Sequence, residues 1–307
     1  MNKERIIIDT DIGDDIDDAL ALALAVRSPE LELVGVTTVF KNTRARAKLA
    51  RRLLKTLGCG DVPVVPGMRK QLLELPEDTL WRTVNIDEYP GQYSPDMDEE
   101  ELPYPGDAID FMKEALESSP EPLTLVPIGP LTNIAMLLLK HPDLKDRIKR
   151  IVLMGGAYFT NIAEYNIMCD PEAARIVFES GVDITGVGLD VTMKCQLKQE
   201  EVDRIAKGGT AASNFLSMLI ERHRSYAGHL PYLHDPLAVA VTFDESLVKT
   251  EKRRIGVELR GEFTRGMTYN VSNTRWWERD EDNRTVRVCS EVDRDRFVSL
   301  FLERILK

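Results

Sequence analysis

Short apolar, β-branched runs alternate with helical patterns along most of this chain. The first predicted strands and helices are, in order, Arg5 to Asp9, Ile16 to Arg27, Leu33 to Phe40, Thr43 to Leu57 and Val62 to Val65. Further buried strands are predicted at Leu123 to Ile128, Ile151 to Met154 and Val182 to Val187. Strands that alternate with helices pair in parallel, with helices covering both faces of the sheet. The sequence therefore predicts an α/β fold with a mainly parallel (mixed) central sheet flanked by helices.

Two segments interrupt this alternation without dividing the chain. Met68 to Pro105 is rich in proline and acidic residues, and a connection of that length is usually functional or mobile. Gln196 to Leu230 is predicted to be helical, and Arg254 to Val292 is typical of strands and hairpins before a closing helix at Asp293 to Leu306. We expect one Rossmann-like domain over residues 1–307, with its active site at the C-terminal ends of the strands.

The charge and composition of the chain disfavour several kinds of binding partner. The formal net charge is −11, which disfavours binding to nucleic acid or to an anionic membrane. The first predicted strand begins close to Met1, so we expect no leader, and no apolar run is long enough to span a membrane. The cysteines lack CxxC spacing and are expected to be reduced thiols of a cytoplasmic protein: Cys59, Cys169, Cys195 and Cys289.

The loop after the first strand carries six aspartates between Asp9 and Asp18 and no basic residue. The N-terminus of the following helix favours some of this charge but is insufficient for six carboxylates. Either several carboxylates face water as an acidic helix cap, or a hard cation such as Ca²⁺ or Mg²⁺ gathers them. The spacing does not fit an EF-hand, while a haloacid-dehalogenase-type phosphatase begins with the same Asp-x-Asp after a strand.

Polar residues also follow other predicted strands. They lie in Thr37 to Asn42, in Ile128 to Asn133 and in Glu164 to Asp170. The turn at Gly129 and Pro130 leaves a main-chain carbonyl free to face a ligand. His234-Asp235 opens an apolar helix, where Asp235 is either a helix cap or a further carboxylate of the same site.

Together these segments resemble the inosine–uridine-preferring nucleoside hydrolase family. The similarity follows the family order through Asp9 to Leu22, Thr37 to Asn42, Pro127 to Asn133, Met154 to Gly156, Glu164 to Ala173 and His234 to Pro236. The resemblance implies Ca²⁺-dependent hydrolysis of the N-glycosidic bond of a small-molecule ribonucleoside, performed by a homodimer or homotetramer. Nothing downstream matches the lysine and second acidic motif expected of the phosphatase.

The resemblance implies a set of cation ligands. They would be the carboxylates of Asp11, Asp18 and Asp235 and the main-chain carbonyl of Ile128. Asp14-Asp15 is a two-residue insertion relative to the common family form, so Asp15 would replace Asp18 or add to the ligands.

The resemblance also implies the substrate contacts. Asp17 and Asn166 would hold the ribose hydroxyls, Glu164 and Asn161 would lie near the 5′-hydroxyl, and Met154 would line the ribose pocket.

Three residues would perform the chemistry implied by the resemblance. Asn42 would orient the attacking water, Asp11 would accept its proton, and His234 would protonate or polarise the leaving base. Direct displacement by water predicts inversion at C1′.

The base-binding residues are less defined by the sequence. Tyr226, His229 and Tyr232 are candidates, and the aromatic residues of the long segment, including Trp81, either stack on the base or pack internally. No preference for purine or pyrimidine is predicted. Two other functions remain open at this stage: a nucleoside- or ribose-binding protein with weak turnover, and a metal-dependent phosphohydrolase.

Overall fold

The computed structural model describes residues 3–74, 85–271 and 285–307. The strands are β1 (Glu4–Thr10), β2 (Leu31–Thr38), β3 (Val64–Pro66), β4 (Leu123–Pro127), β5 (Ile148–Met154), β6 (Ile184–Val187), β7 (Val248–Arg253), β8 (Ile255–Val257), β9 (Thr268–Asn270) and β10 (Val286–Val292). The helices are α1 (Asp17–Arg27), α2 (Thr43–Thr56), α3 (Ala108–Ser118), α4 (Thr132–Lys140), α5 (Tyr165–Cys169), α6 (Pro171–Phe178), α7 (Leu189–Thr192), α8 (Gln199–Ala206), α9 (Ala211–Ala227), α10 (His234–Phe243) and α11 (Arg294–Ile305). Among these helices, none has the length and apolar character needed to cross a membrane.

Most of the strands belong to one sheet. Within the described residues, eight strands pair in the order β3-β2-β1-β4-β5-β6-β10-β7, and only β7 runs antiparallel to its neighbour. Strands β8 and β9 form a separate antiparallel pair. The predicted mainly parallel α/β architecture is therefore confirmed.

Strand order reverses at β1. The chain steps outward from β1 to β2 and β3, then returns to the other side of β1 as β4. The loops that follow β1 and β4 therefore leave in opposite directions and open a crevice between them, which is where ligands bind in open parallel sheets. Asp11 follows β1 and Ile128 follows β4, so the topology places both at this crevice.

The two faces of the sheet are buried by different helices. Ile6 and Ile8 join a core with α1, α2, α10 and α11, whereas Ile7 joins a core with α3, α4 and α6. This alternation follows from the period of two in a strand. Helix α1 is buried from Asp17 to Ala25, and its alternating alanines allow α10 to pack closely against it.

The structure corrects several predicted boundaries. Strand β2 ends at Thr38 instead of Phe40, because Phe40 and Lys41 have positive φ angles of 69° and 58°. Strand β7 and helix α3 were not predicted. In the C-terminal segment, β8 and β9 form an antiparallel pair, as expected of a hairpin. Strand β10 instead inserts into the main sheet beside β6. Residues 272–284 lie outside the described residues.

A close contact between β2 and α3 yields the first prediction. A Cβ at Gly35 would lie 2.3 Å from Cζ of Phe111, so Gly35→Ala forces the ring or the helix to move. We expect this substitution to lower the free energy of unfolding by about 1–3 kcal/mol, as overpacked core substitutions do. In urea unfolding, the double variant with Phe111→Leu should lose less than the sum of the two single losses. If the losses of the two single variants add up in the double variant, the Phe111 ring and residue 35 are not energetically coupled.

Candidate active site

A cavity of about 590 Å³ opens at the C-terminal ends of β1, β4 and β5. The predicted site residues that line it come from five separate segments of the chain. All predicted site residues except Asn42 and Asn161 line it: Asp11, Asp15, Asp17, Asp18, Ile128, Met154, Glu164, Asn166, His234 and Asp235. The fold therefore gathers most of the predicted site in one place.

Three buried carboxylates form a compact cluster on one wall. Oxygens of Asp17, Asp18 and Asp235 all lie within 4.8 Å of one another. Asp17 and Asp18 open α1 and Asp235 lies in the first turn of α10, so two helix N-termini favour their negative charge. Burial, followed by repulsion between the carboxylates, raises the pKa of each well above its usual range.

This cluster fits a hard divalent cation. Its donors are carboxylate oxygens, the ligand type that Ca²⁺ and Mg²⁺ take at about 2.0–2.6 Å, so oxygens 4.8 Å apart can flank one ion. The hydrogen bonds around it are few: the hydroxyl of Thr10 donates to Asp18, and the amide of Asp235 donates to Asp17 at 3.3 Å. The membership differs from the sequence prediction: Asp17, expected beside the ribose, belongs to the cluster, whereas Asp11, expected as a cation ligand, does not.

Asp11 lies in the same cavity at the end of β1. A Cβ at Gly129 would lie 2.7 Å from Oδ1 of Asp11, so only glycine lets the loop after β4 approach this carboxylate so closely. Burial raises the pKa of Asp11 to about 6, although the guanidinium of Arg46 opposes the shift. A carboxylate with that pKa exchanges a proton readily near neutral pH.

The opposite wall is organised by Glu164 and Asn166. The carboxylate of Glu164 caps α5, accepting from the amides of Asn166 and Gly156, each at 2.9 Å. The Asn166 side-chain amide donates to the carbonyl of Ile128 at 3.0 Å and to that of Met154 at 3.2 Å. The carbonyl predicted as a cation ligand is thus held in place by a predicted ribose ligand.

His234 begins α10 next to the carboxylate cluster. Its Nδ1 lies 2.7 Å from the hydroxyl of Thr192, and Tyr232 stacks on its ring with centroids 5.3 Å apart. Burial lowers the pKa of His234 to about 4, so the ring is neutral at neutral pH. A Thr192 hydroxyl that donates to Nδ1 leaves the ring proton on Nε2, where it is available as a donor.

An aromatic group extends from His234 towards α9. His223 makes edge-to-face contacts with Tyr226 and His229, and His229 continues to Tyr232, with centroids 5.3–5.6 Å apart. Of the predicted base-side residues, Tyr226 and His229 line the cavity, whereas Tyr232 contacts it through His234.

The described aromatic residues of the long segment, Tyr89, Tyr93 and Tyr104, do not line the cavity. The hydroxyl of Tyr93 donates to Asp98 at 2.8 Å, and Tyr104 packs edge-on against Phe111. Tyr89 packs against Tyr93 and is exposed. Trp81 lies outside the described residues.

Two predicted residues are not brought to the cavity, and a third lies in the cavity but outside the carboxylate cluster. Asn42 caps α2, its side chain accepting from the amide of Ala45 at 3.1 Å, because the left-handed turn before it redirects the chain. Asn161 is exposed outside the cavity. Asp15 lines the cavity but lies 3.5 Å from His223 and is not part of the carboxylate cluster.

Three ionisable residues of the cavity were not assigned a role from the sequence: Lys41, Glu88 and His223. The ammonium of Lys41 lies 3.1 Å from the carboxylate of Glu88 and 3.5 Å from that of Asp14, which also lines the cavity. Lys41 lies directly after the second predicted strand, a position that signals a site residue. His223 and Tyr226 are three residues apart and therefore share one helix face.

Comparisons with known proteins agree on one family. A sequence profile described as inosine-uridine preferring nucleoside hydrolase matches residues 6–299. The chain is 37% identical to the pyrimidine-specific ribonucleoside hydrolases RihA of Citrobacter koseri and Salmonella typhi, over 98% of this chain and 97% of each relative. A solved purine-preferring ribonucleoside hydrolase from Gardnerella vaginalis superimposes with a TM-score of 0.83 at 32% identity, covering 99% of this chain and 98% of that one. The plant nucleoside hydrolase PpNRh1 gives a TM-score of 0.83 at 30% identity, covering 99% of both chains.

The position of Asn42 generates the second prediction. Asn42→Ala removes the acceptor that caps α2 and should lower the free energy of unfolding by about 1 kcal/mol. Asn42→Asp keeps that acceptor and should keep both the stability and the turnover of the parent. Urea unfolding and ribose release measure the two quantities. Lost turnover at unchanged stability in Asn42→Asp would give the side-chain amide a role in orienting water.

Proposed function

Because the chain belongs to the inosine-uridine preferring nucleoside hydrolase family and is a ribonucleoside hydrolase, we propose that it works through a Ca²⁺ ion and a water molecule activated beside it. The observation that supports this most directly is the buried cluster of Asp17, Asp18 and Asp235 at the edge of a nucleoside-sized cavity. The family assignment favours this function over the binding-protein and phosphohydrolase alternatives.

The cation would be held by residues on both sides of the strand crevice. Asp18 and Asp235 would be ligands, joined by Asp11 and the carbonyl of Ile128, while Asp17 would divide its oxygens between the cation and the ribose hydroxyls. A bound divalent cation lowers the pKa of a neighbouring water molecule and so makes it a better nucleophile. We favour Ca²⁺ because the clustered donors are all oxygens and Ca²⁺ accepts irregular oxygen shells.

The side chains of this protein would supply the remaining chemistry. The carboxylate of Asp11 would accept the proton of the attacking water, because it lies in the cavity beside the proposed cation and the water activated there. Glu164 and Asn166 would bind the ribose, and the acidic lining would favour the positive charge that develops on the sugar ring. The neutral ring of His234 would donate a hydrogen bond from Nε2 to the leaving base and stabilise the negative charge that develops on it. Attack from the face opposite the base gives inversion at C1′.

Base preference, compartment and assembly belong to the same proposal. The named relatives include a pyrimidine-specific and a purine-preferring enzyme, so we propose ribonucleosides as the substrate class without choosing a base. The cysteines are all free, which supports a reducing, cytoplasmic compartment. We also propose a homodimer or homotetramer, which light scattering measures directly.

Cation removal and loss of Asp11 test the proposal. Ribose release from inosine, uridine, cytidine, adenosine and guanosine should stop after chelation and return with Ca²⁺. Asp11→Ala should lower kcat by about 10³-fold, because both a proton acceptor and a cation ligand are lost. Asp143→Ala is a matched control, since Asp143 is exposed at the opposite edge of the sheet.

Three outcomes would contradict the proposal. Full activity after chelation would remove the cation from the mechanism. Nucleoside binding without ribose release would favour a binding protein. Phosphate release from nucleotides would favour the phosphohydrolase.

His234 generates a further prediction. His234→Ala should lower kcat/KM on inosine much more than on p-nitrophenyl riboside, because the nitrophenolate leaves without a proton. Loss of one hydrogen-bond donor to a developing negative charge costs about 10²–10³-fold, and this is the range expected on inosine. Equal losses on both substrates would show that His234 does not assist the leaving group. Thr192→Val should show a weaker form of the same pattern, because Thr192 orients the ring.

A further inference from the structure

Arg46 buries a full positive charge behind the aspartate loop. Its side chain is only 1% exposed, although a guanidinium stays charged at any pH at which a protein folds. A buried charge of this kind is tolerated only when its donors are paired with well-placed acceptors. The partners of Arg46 therefore show what the charge is for.

All of its partners lie in the two loops that end β1 and β2. Nη1 donates to the carbonyl of Asp11 and, at 2.9 Å, to that of Ile12. Nη2 donates to the carboxylate of Asp14 at 2.8 Å, and Nε donates to the carbonyl of Phe40 at 2.8 Å. One rigid planar group thus joins the aspartate loop to the turn that carries Lys41.

Both loops need such support. Phe40 and Lys41 adopt left-handed backbone conformations, which are costly for residues other than glycine. The aspartate loop carries carboxylates that repel one another. Asp14 is held by two cations, since the ammonium of Lys41 lies 3.5 Å from the oxygen that Arg46 contacts. Gln92 and Tyr226 also donate to carbonyls of the aspartate loop, but among the described side chains only Arg46 donates to main-chain carbonyls of both loops.

We propose that Arg46 is a positioning residue that preforms the cation site. By clamping the main chain at Asp11 and Ile12, it holds the Asp11 carboxylate, and the path into α1 with Asp17 and Asp18, before a cation or nucleoside binds. The inference rests on the proposed function in taking the carboxylate cluster as a cation site. Asp14, part of the two-residue insertion predicted from the sequence, is then a structural partner of Arg46 and not a ligand.

Electrostatics alone predicts the opposite effect on cation binding. A fixed positive charge near the cluster repels a second cation, so its removal would tighten binding. Positioning predicts weaker binding, because the loop must then be ordered when the cation arrives. The sign of the change in Ca²⁺ affinity therefore separates the two roles.

The experiment is Ca²⁺ titration calorimetry on chelator-treated protein, with urea unfolding of the metal-free protein in parallel. We expect Arg46→Met to weaken Ca²⁺ binding by about 10–100-fold, the usual effect of losing a group that orients metal ligands. Arg46→Lys keeps the charge but cannot reach all four acceptors, so its affinity should lie between those of Arg46→Met and the parent. Arg44→Met is the matched control, because Arg44 is exposed on the same helix and should leave affinity unchanged.

Each other outcome overturns the inference. Unchanged or tighter Ca²⁺ binding in Arg46→Met would show that Arg46 only balances charge. If Arg46→Met does not unfold cooperatively, Arg46→Lys decides, and unchanged affinity in that variant rejects positioning. A parent protein that binds no divalent cation would overturn the proposed function as well, which distinguishes the two failures.

Discussion

The packing of buried carboxylates at the point where strand order reverses is the constraint on which the rest of the structure depends. Asp11 follows β1, Asp17 and Asp18 open α1, and Asp235 lies in the first turn of α10, so the separation of Asp17 and Asp18 from Asp235 is fixed by how α1 packs on α10. Alanines along α1 allow that close approach, and the two helix N-termini meet where their positive ends face the carboxylates. The charge arrangement of the site therefore depends on the core packing of the helices, since a shift of α1 along α10 would separate the carboxylates.

A second layer of polar contacts holds the same edge of the sheet from below. Oδ1 of Asp9 accepts from the hydroxyl of Thr37 and from the side chain of Asn133, both at 2.7 Å. Asn133 also donates to the carbonyl of Thr38 and accepts from the amide of Met68. These bonds join the ends of β1 and β2 to the start of α4 and to the loop after β3. These hydrogen bonds hold the base of the crevice together, which suits a site whose groups must be positioned before substrate arrives.

The sequence predicted the sheet and most of the cavity lining because both follow from local patterns in the chain. Apolar runs mark the strands, and the polar residues that follow them converge at one edge whatever the helices do. Asn42 was expected at the cavity but does not lie there, because the strand ends early. Two residues in the left-handed conformation turn the chain, and Asn42 caps the next helix. Asp15 faces His223, a contact between segments that no local pattern contains. Strand β7 was missed because it is an exposed, charged edge strand, whose register comes from pairing with β10 and not from its own hydrophobicity.

Helix α2 shows how one charged helix serves two acidic segments. On its inner side Arg46 binds the aspartate loop, whereas Lys48 and Arg52 on its outer side bind Asp98, Asp96 and Glu100 of the long segment. The long segment is thereby fastened beside the cavity, and Gln92 completes the attachment by donating to the carbonyls of Gly13 and Asp15 at 2.9 and 2.6 Å. Because α2 contacts both the aspartate loop and the long segment, a displacement of α2 would move both of them relative to the cavity. The basic helix and the acidic run, which look unrelated in the sequence, are for this reason parts of a single support for the carboxylate cluster.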